Sequence, residues 1–140
     1  MLQKLILSFT FGLWAFGAMA YFWPVTLVLV LFFVRVIVWQ KPPMVRRWQL
    51  RHLVLLLPLL LCFLSLLWGG LMADRPNPSA FDWPNDVLTQ LGLAFFPCAQ
   101  LVLKLSKGFR WLALSILLLE GWYLLWCTFM SEMAVSNVWL

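Results

Sequence analysis

The chain has 140 residues, of which 64% are apolar, compared with about 45–50% in a soluble domain. A soluble protein of this size cannot bury so many apolar side chains, 10 Trp and 12 Phe among them, because a small domain leaves much of its surface in water. Only 11% of the residues are charged, which argues against a soluble enzyme, a nucleic-acid-binding module and a disordered regulator. We therefore predict an all-α polytopic transmembrane helix bundle, one integral membrane domain over residues 1–140.

Apolar runs of about 17–20 residues mark helices that can cross a bilayer. The first run extends from Leu5 to Trp39, too long for one straight span, and is interrupted at Pro24 after three aromatic residues. We interpret Pro24 as a tight reversal, because aromatic side chains settle at the headgroup level and the residue before a proline avoids the helical region. The five predicted spans are about 5–21, 25–39, 53–71, 87–103 and 111–130. The alternative is four spans, with one long bent helix in place of the first two.

Positive charge predicts the orientation, since Lys and Arg accumulate in cytoplasmic loops. With five spans, Arg75 is the one exception among 10 Lys and Arg residues, and all the others fall on one side. This places the N-terminus in the cytoplasm and the C-terminus outside, and we expect the membrane to be a bacterial inner membrane. The four-span alternative moves Lys4 to the outer side.

Two basic inner loops, residues 40–52 and 104–110, are predicted at the cytoplasmic surface. Positive-inside topology accounts for their charge without nucleic acid, and basic residues near the surface attract anionic lipid headgroups. A basic docking site for an acidic partner is the alternative. The residues expected to make either contact are Lys41, Arg46, Arg47, Arg51, Lys104, Lys107 and Arg110.

The outer loop, residues 73–86, contains three prolines and is too polar for the bilayer. One interpretation is an ordered docking surface for an outside partner, formed by Phe81, Asp82 and Trp83. The other is a plain connector in which the aromatic residues anchor the loop at the membrane interface.

Glu120 is the ionisable residue that stands out, because it falls at the middle of the fifth span. A carboxyl at that depth costs about 2.5–3.5 kcal/mol, so it is expected to face other helices. Tyr123, one turn away, is a possible local partner, and Arg35 lies one turn inside the end of the second span. We put forward an ion pair between Arg35 and Glu120; the alternative is a protonated Glu120 that donates a hydrogen bond to a neighbour or a partner subunit.

Motifs for chemistry are absent from the sequence. It contains no nucleophile elbow, no H-E-x-x-H and no phosphate loop. Cys62, Cys98 and Cys127 fall in three different spans without metal or redox spacing, and the single histidine, His52, excludes a haem held by two histidines of one subunit. We predict no catalytic residue, no cofactor site and no metal site.

The expected function is that of a small non-catalytic integral inner-membrane subunit that packs into, anchors or stabilises a larger membrane complex. Its partners are then other integral membrane subunits and anionic lipid headgroups, with no nucleic acid. The first alternative is a small homo-oligomeric channel, transporter or membrane-perturbing effector with Glu120 and Arg35 on the path. A third hypothesis is a membrane enzyme or electron-transfer anchor that takes a quinone or haem from its neighbours.

Overall fold

The computed structural model describes residues 2–40, 53–73 and 83–136, and these ranges are 94% helical with no strand. The predicted all-α fold is therefore confirmed. Four of the five helices, all except α2, are long and apolar enough to span a membrane. The helices are α1 (Leu2–Tyr21), α2 (Trp23–Gln40), α3 (Val54–Met72), α4 (Trp83–Leu105) and α5 (Arg110–Ser136).

Two prolines shape α3 and α4 in different ways. The first turn of α3, Val54–Leu56, is 3-10 helix, and Pro58 follows at the start of the α-helical part, where its missing N–H leaves few bonds unmade. Helix α4 consists of two halves joined at Ala94, three residues before Pro97, which cannot donate to the helical ladder. Pro97 therefore lies beside a break, whereas Pro58 lies at a helix start.

Helix α5 lies at the centre of the bundle and packs against each of the other four helices. Helix α3 runs parallel to it. Leu55 near the start of α3 shares a core cluster with Leu112 near the start of α5. Gly69 near the end of α3 lies against Ser131 near the end of α5.

Helix α4 runs antiparallel to α5. Gly92 in its first half faces Thr128, and Val102 near its end packs in the same cluster as Leu112.

Helix α1 is antiparallel to α3. The Lys4 Nζ donates a hydrogen bond of 2.7 Å to the carbonyl of Leu71, at the end of α3. Eleven residues further along α1, Ala15 packs in a cluster with Leu61 in the middle of α3. Since α3 is parallel to α5, α1 is antiparallel to α5 as well.

Helix α2 is also antiparallel to α5. The ring of Phe22 stacks on that of Trp126 with centroids 4.9 Å apart, and Val36 packs with Leu112 at the other end of the bundle. Helices α1 and α2 therefore point in the same direction. The structure has a bend at Pro24 in place of the predicted reversal, and the five helices make four lengthwise passages, as in the four-span alternative.

The bend has a local cause. Pro24 lacks the N–H that would bond to the carbonyl of residue 20, and Val25 N donates to Phe22 O over three residues instead of four. The Thr26 hydroxyl donates a 2.7 Å bond to the carbonyl of Met19, seven residues earlier. In a straight helix these residues would be about 10 Å apart along the axis, so the helix axis must bend sharply between them.

Because of this bend, the start of α1 and the end of α5 lie at the same end of the bundle. The sequence prediction placed the two chain ends on opposite sides, and the helix directions do not agree with it. We call one end of the bundle the basic end, where α2 and α4 finish and α5 begins. The opposite end, with Lys4, Asp86 and Glu132, is called the Glu132 end.

Among the described residues, the core consists of three clusters stacked along α5. One lies at the basic end around Leu112 and Val102, one in the middle around Leu124 and Cys62, and a small one at the Glu132 end around Phe11. Several residues of the predicted loops lie outside the described residues: Lys41, Arg46, Arg47, Arg51, His52, Phe81 and Asp82.

Candidate functional site

Glu120 lies in the middle of α5, on the stripe of that helix that faces the core. Its side chain is 7% exposed, with Leu117 and Leu124 buried one turn to either side. The Glu120 Oε2 has no hydrogen-bond partner among the described residues. Burying a carboxyl oxygen without a hydrogen-bond partner costs free energy, so Glu120 is a candidate for a functional role or for contact with a partner molecule.

The structure does not bring Arg35 and Glu120 together. Arg35 is exposed on α2, and its neighbour Val36 packs against Leu112 and Ala113. Those residues precede Glu120 by about 10–12 Å along the helix axis. Within the three described ranges, neither side chain forms an ion pair.

Tyr123 joins α5 to α1. Its hydroxyl donates a hydrogen bond of 3.4 Å to the carbonyl of Gly12, and its ring lies 4.6 Å from that of Phe16. The phenol is therefore directed to α1 and not to Glu120, which was its predicted partner.

Two of the three cysteines meet in the core. Cys62 in α3 and Cys127 in α5 pack in the same buried cluster, and the Cys62 Sγ lies 4.0 Å from the backbone oxygen of Glu120. Cys98 is half-buried against the same cluster, and all three are free thiols. No group of three or more His, Cys, Asp and Glu residues that could hold a metal occurs in the described part of the chain.

Small residues set the closest helix contacts. A Cβ atom on Gly69 would lie 2.5 Å from the Cβ of Ser131, and one on Gly70 would overlap the hydroxyl of Ser8. A Cβ on Gly12 would meet the Leu66 side chain at 3.2 Å. Ser8 and Gly12, one turn apart on α1, therefore both face α3. The Gly69 contact was missed, although two adjacent glycines in an apolar helix are a signal of close approach.

A hydrogen-bond chain secures the bend between α1 and α2. Trp122 Nε1 donates to the Thr26 hydroxyl at 3.1 Å, and Thr26 in turn donates to the Met19 carbonyl. Trp122 and Thr26 are 96 residues apart in the sequence, so sequence reasoning did not find this contact.

The basic residues that the structure describes lie where α4 ends and α5 begins. Lys104, Lys107 and Arg110 are exposed there, and Arg35 lies one turn from the end of α2. At the opposite end, Trp83 is the exposed first residue of α4, and its ring contacts that of Trp68 at 5.7 Å. Of the predicted docking residues Phe81, Asp82 and Trp83, the structure describes Trp83.

Helix α4 exposes two amide side chains among apolar ones. Gln90 and Gln100 are exposed, whereas only 11% of the most apolar window of this helix is buried within the chain. Neither amide makes a hydrogen bond to another described residue. They lie about 10 Å from the start and about 8 Å from the end of the helix, inside the thickness of a bilayer core.

No protein-family model, curated protein or solved structure matches this chain.

Proposed function

We propose that this chain is a small, non-catalytic integral subunit of a larger membrane assembly, and that the outer face of α4 contacts a transmembrane helix of a partner. The observation that carries this proposal is the exposure of Gln90 and Gln100 in the part of α4 between Asp86 and Lys104, where most side chains are apolar.

Lipid tails offer these amides no hydrogen-bond partners. An amide transferred to an environment without hydrogen-bond partners costs about 2–7 kcal/mol, depending on the reference state. Asn and Gln side chains in membranes commonly form hydrogen bonds to a neighbouring helix, which removes this cost. A partner helix packed along the exposed side of α4 can supply hydrogen-bond partners to these amides.

We further propose that the basic end of the bundle lies on the cytoplasmic side of a bacterial inner membrane. Lys104, Lys107 and Arg110 lie there, and the sequence places four more basic residues between α2 and α3. Cytoplasmic surfaces are enriched in Lys and Arg, and these side chains attract anionic lipid headgroups. In this orientation the start of α1 and the end of α5 are both outside.

The alternative is a homo-oligomeric channel, transporter or membrane-perturbing effector with Glu120 and Arg35 on its path. It has less support, because Glu120 is buried between helices and Arg35 is exposed near the basic end. A shared path would require both side chains to line one cavity.

The decisive experiment is purification of the tagged full chain from its native membrane in a mild detergent, followed by intact mass measurement. We expect a complex that contains a different membrane protein. Replacement of both amides, Gln90→Leu with Gln100→Leu, should remove this partner, whereas Gln3→Leu at the start of α1 should retain it.

The outcome separates the two hypotheses. A partner that resists the double replacement contradicts the α4 contact. A species with a mass that is a multiple of 16.3 kDa favours the homo-oligomer instead.

A further inference from the structure

A groove of about 650 Å³ follows α5 between α2 and α4. Val25 and Leu29 of α2 form one wall, and Phe95 and neighbouring residues of α4 form the other. The floor extends along α5 from Leu117 to Glu132, about 22 Å at 1.5 Å per residue. Its volume lies within the range of about 300–1,000 Å³ that is typical of small-molecule sites.

The polar groups of the groove are concentrated at one end. Thr89, Thr128 and Glu132 line the groove at the Glu132 end, and the Thr89 hydroxyl, which lies beside the Glu132 carboxyl, donates to the Asn85 carbonyl at 3.1 Å. The Thr128 hydroxyl donates back to carbonyls of its own helix. The remaining lining is apolar apart from Trp122, whose N–H is donated to Thr26. The groove is therefore amphipathic along its length.

Two glycines of the groove lie at the contact between α4 and α5. A Cβ on Gly121 would lie 2.8 Å from the ring of Phe95, which shows how closely α4 and α5 approach there. A Cβ on Gly92 would meet only the Thr128 methyl group at 3.8 Å, an ordinary contact. A larger side chain at Gly92 can thus be accommodated by filling the groove.

We propose that this groove binds one acyl chain of a phospholipid whose headgroup carries a primary ammonium, with the ammonium at Glu132. The proposal does not rest on the proposed partner of α4. A lipid tail extends through about half of the ~30 Å hydrocarbon core, so the apolar part of the groove is long enough for it. Glu132 precedes the end of α5 by four residues, about 6 Å, which places it near the headgroup level.

The chemistry of the polar end selects the headgroup. A carboxylate only accepts hydrogen bonds, so the ligand must donate them. A primary ammonium offers three N–H donors and the opposite charge, and such charge-assisted bonds are the stronger kind. A choline headgroup has the same ammonium charge but no N–H, and an anionic headgroup would be repelled by Glu132.

The test uses the full chain in nanodiscs with equal amounts of phosphatidylethanolamine and phosphatidylcholine of identical acyl chains. Retained lipids are counted by native mass spectrometry. We expect the wild type to retain phosphatidylethanolamine with a preference of about tenfold, as for one charge-assisted hydrogen bond. Glu132→Gln should abolish most of this preference, whereas Asp86→Asn, which removes an exposed carboxyl at the same end, should preserve it.

A second pair of variants tests the tail. Gly92→Leu should fill the groove and remove the retained lipid, while Gly17→Leu on the exposed face of α1 should leave it in place. Equal retention of the two lipids by the wild type overturns the proposal, and so does unchanged retention by Gly92→Leu. If Gly92→Leu does not fold, the Glu132→Gln result decides, because the amide has the same shape as the carboxyl. Loss of all lipid in favour of a bound polypeptide also overturns it.

Discussion

Gly69 of α3 approaches Ser131 of α5 so closely that a Cβ atom on Gly69 would lie 2.8 Å from the Cα of Ser131. Any larger side chain at this position must push the two parallel helices apart. We expect Gly69→Leu to lower the free energy of unfolding by about 3 kcal/mol or more, the upper end of the usual cost of overpacking. Thermal unfolding of the purified chain in detergent measures this loss.

The matched control is Gly17→Leu, because a Cβ atom on Gly17 would have no neighbour within 4 Å. Leu is a better helix former than Gly by roughly 0.5–1 kcal/mol, so this variant should be as stable as the wild type or slightly more stable. Equal destabilisation by both variants would show that the contact between α3 and α5 is not the cause.

The hydrogen bond from Trp122 to Thr26 should couple α5 to the bend energetically. We expect the double variant Thr26→Val with Trp122→Phe to be less destabilised than the sum of the two single variants. The coupling should be about 0.6–1.7 kcal/mol, the range of interhelical hydrogen bonds in membranes. Unfolding in mixed micelles gives the three free energies.

Thr10→Val provides a reference, since the Thr10 hydroxyl donates only to the Ile6 carbonyl of its own helix. Combined with Trp122→Phe it should give an additive result within about 0.5 kcal/mol. Additivity in the Thr26 cycle as well would mean that the bend does not depend on this bond.

The helical content follows from composition, because an apolar chain in lipid must satisfy its backbone within each segment. For the same reason each long apolar run of the sequence is helical in the structure, and α5 continues to Ser136. The direction of α2 was not predictable in this way. Pro24 is compatible with either a reversal or a bend, and one hydrogen bond at the bend comes from Trp122 of α5.

The candidate site was predictable in part. The cost of a carboxyl in the middle of a span predicted that Glu120 faces other helices, and the Glu120 side chain is buried in the structure. The neighbours of Glu120 depend on how helices distant in sequence pack together, which periodicity within one helix does not specify. The groove between α2 and α4 was missed for the same reason, since its walls and floor come from three helices.

Glu120 and Arg35 should behave independently. We expect Glu120→Gln and Arg35→Leu to give additive changes in the free energy of unfolding, within about 0.5 kcal/mol, because the two groups are not in contact. Glu120→Gln alone should lower the free energy of unfolding by no more than about 1 kcal/mol. The substitution replaces a buried carboxyl by a neutral group of the same shape, and the Oε2 of that carboxyl makes no hydrogen bond among the described residues. A coupling above about 1 kcal/mol would instead establish the ion pair.

The helix directions predict on which side of the membrane each end of the chain lies. Because α1 and α2 both run antiparallel to α5, short tags at the two ends of the chain should lie on the same side of the membrane. A third tag at Gly108, which is exposed and where an added Cβ atom would have no neighbour within 4 Å, should lie on the opposite side. Antibody binding before and after the membrane is permeabilised reads out all three positions. End tags on different sides would require α1 and α2 to cross the membrane separately, in opposite directions. The hydrogen bond from Thr26 to Met19 would then not form in the membrane, because it belongs to a bend after which both helices run in the same direction.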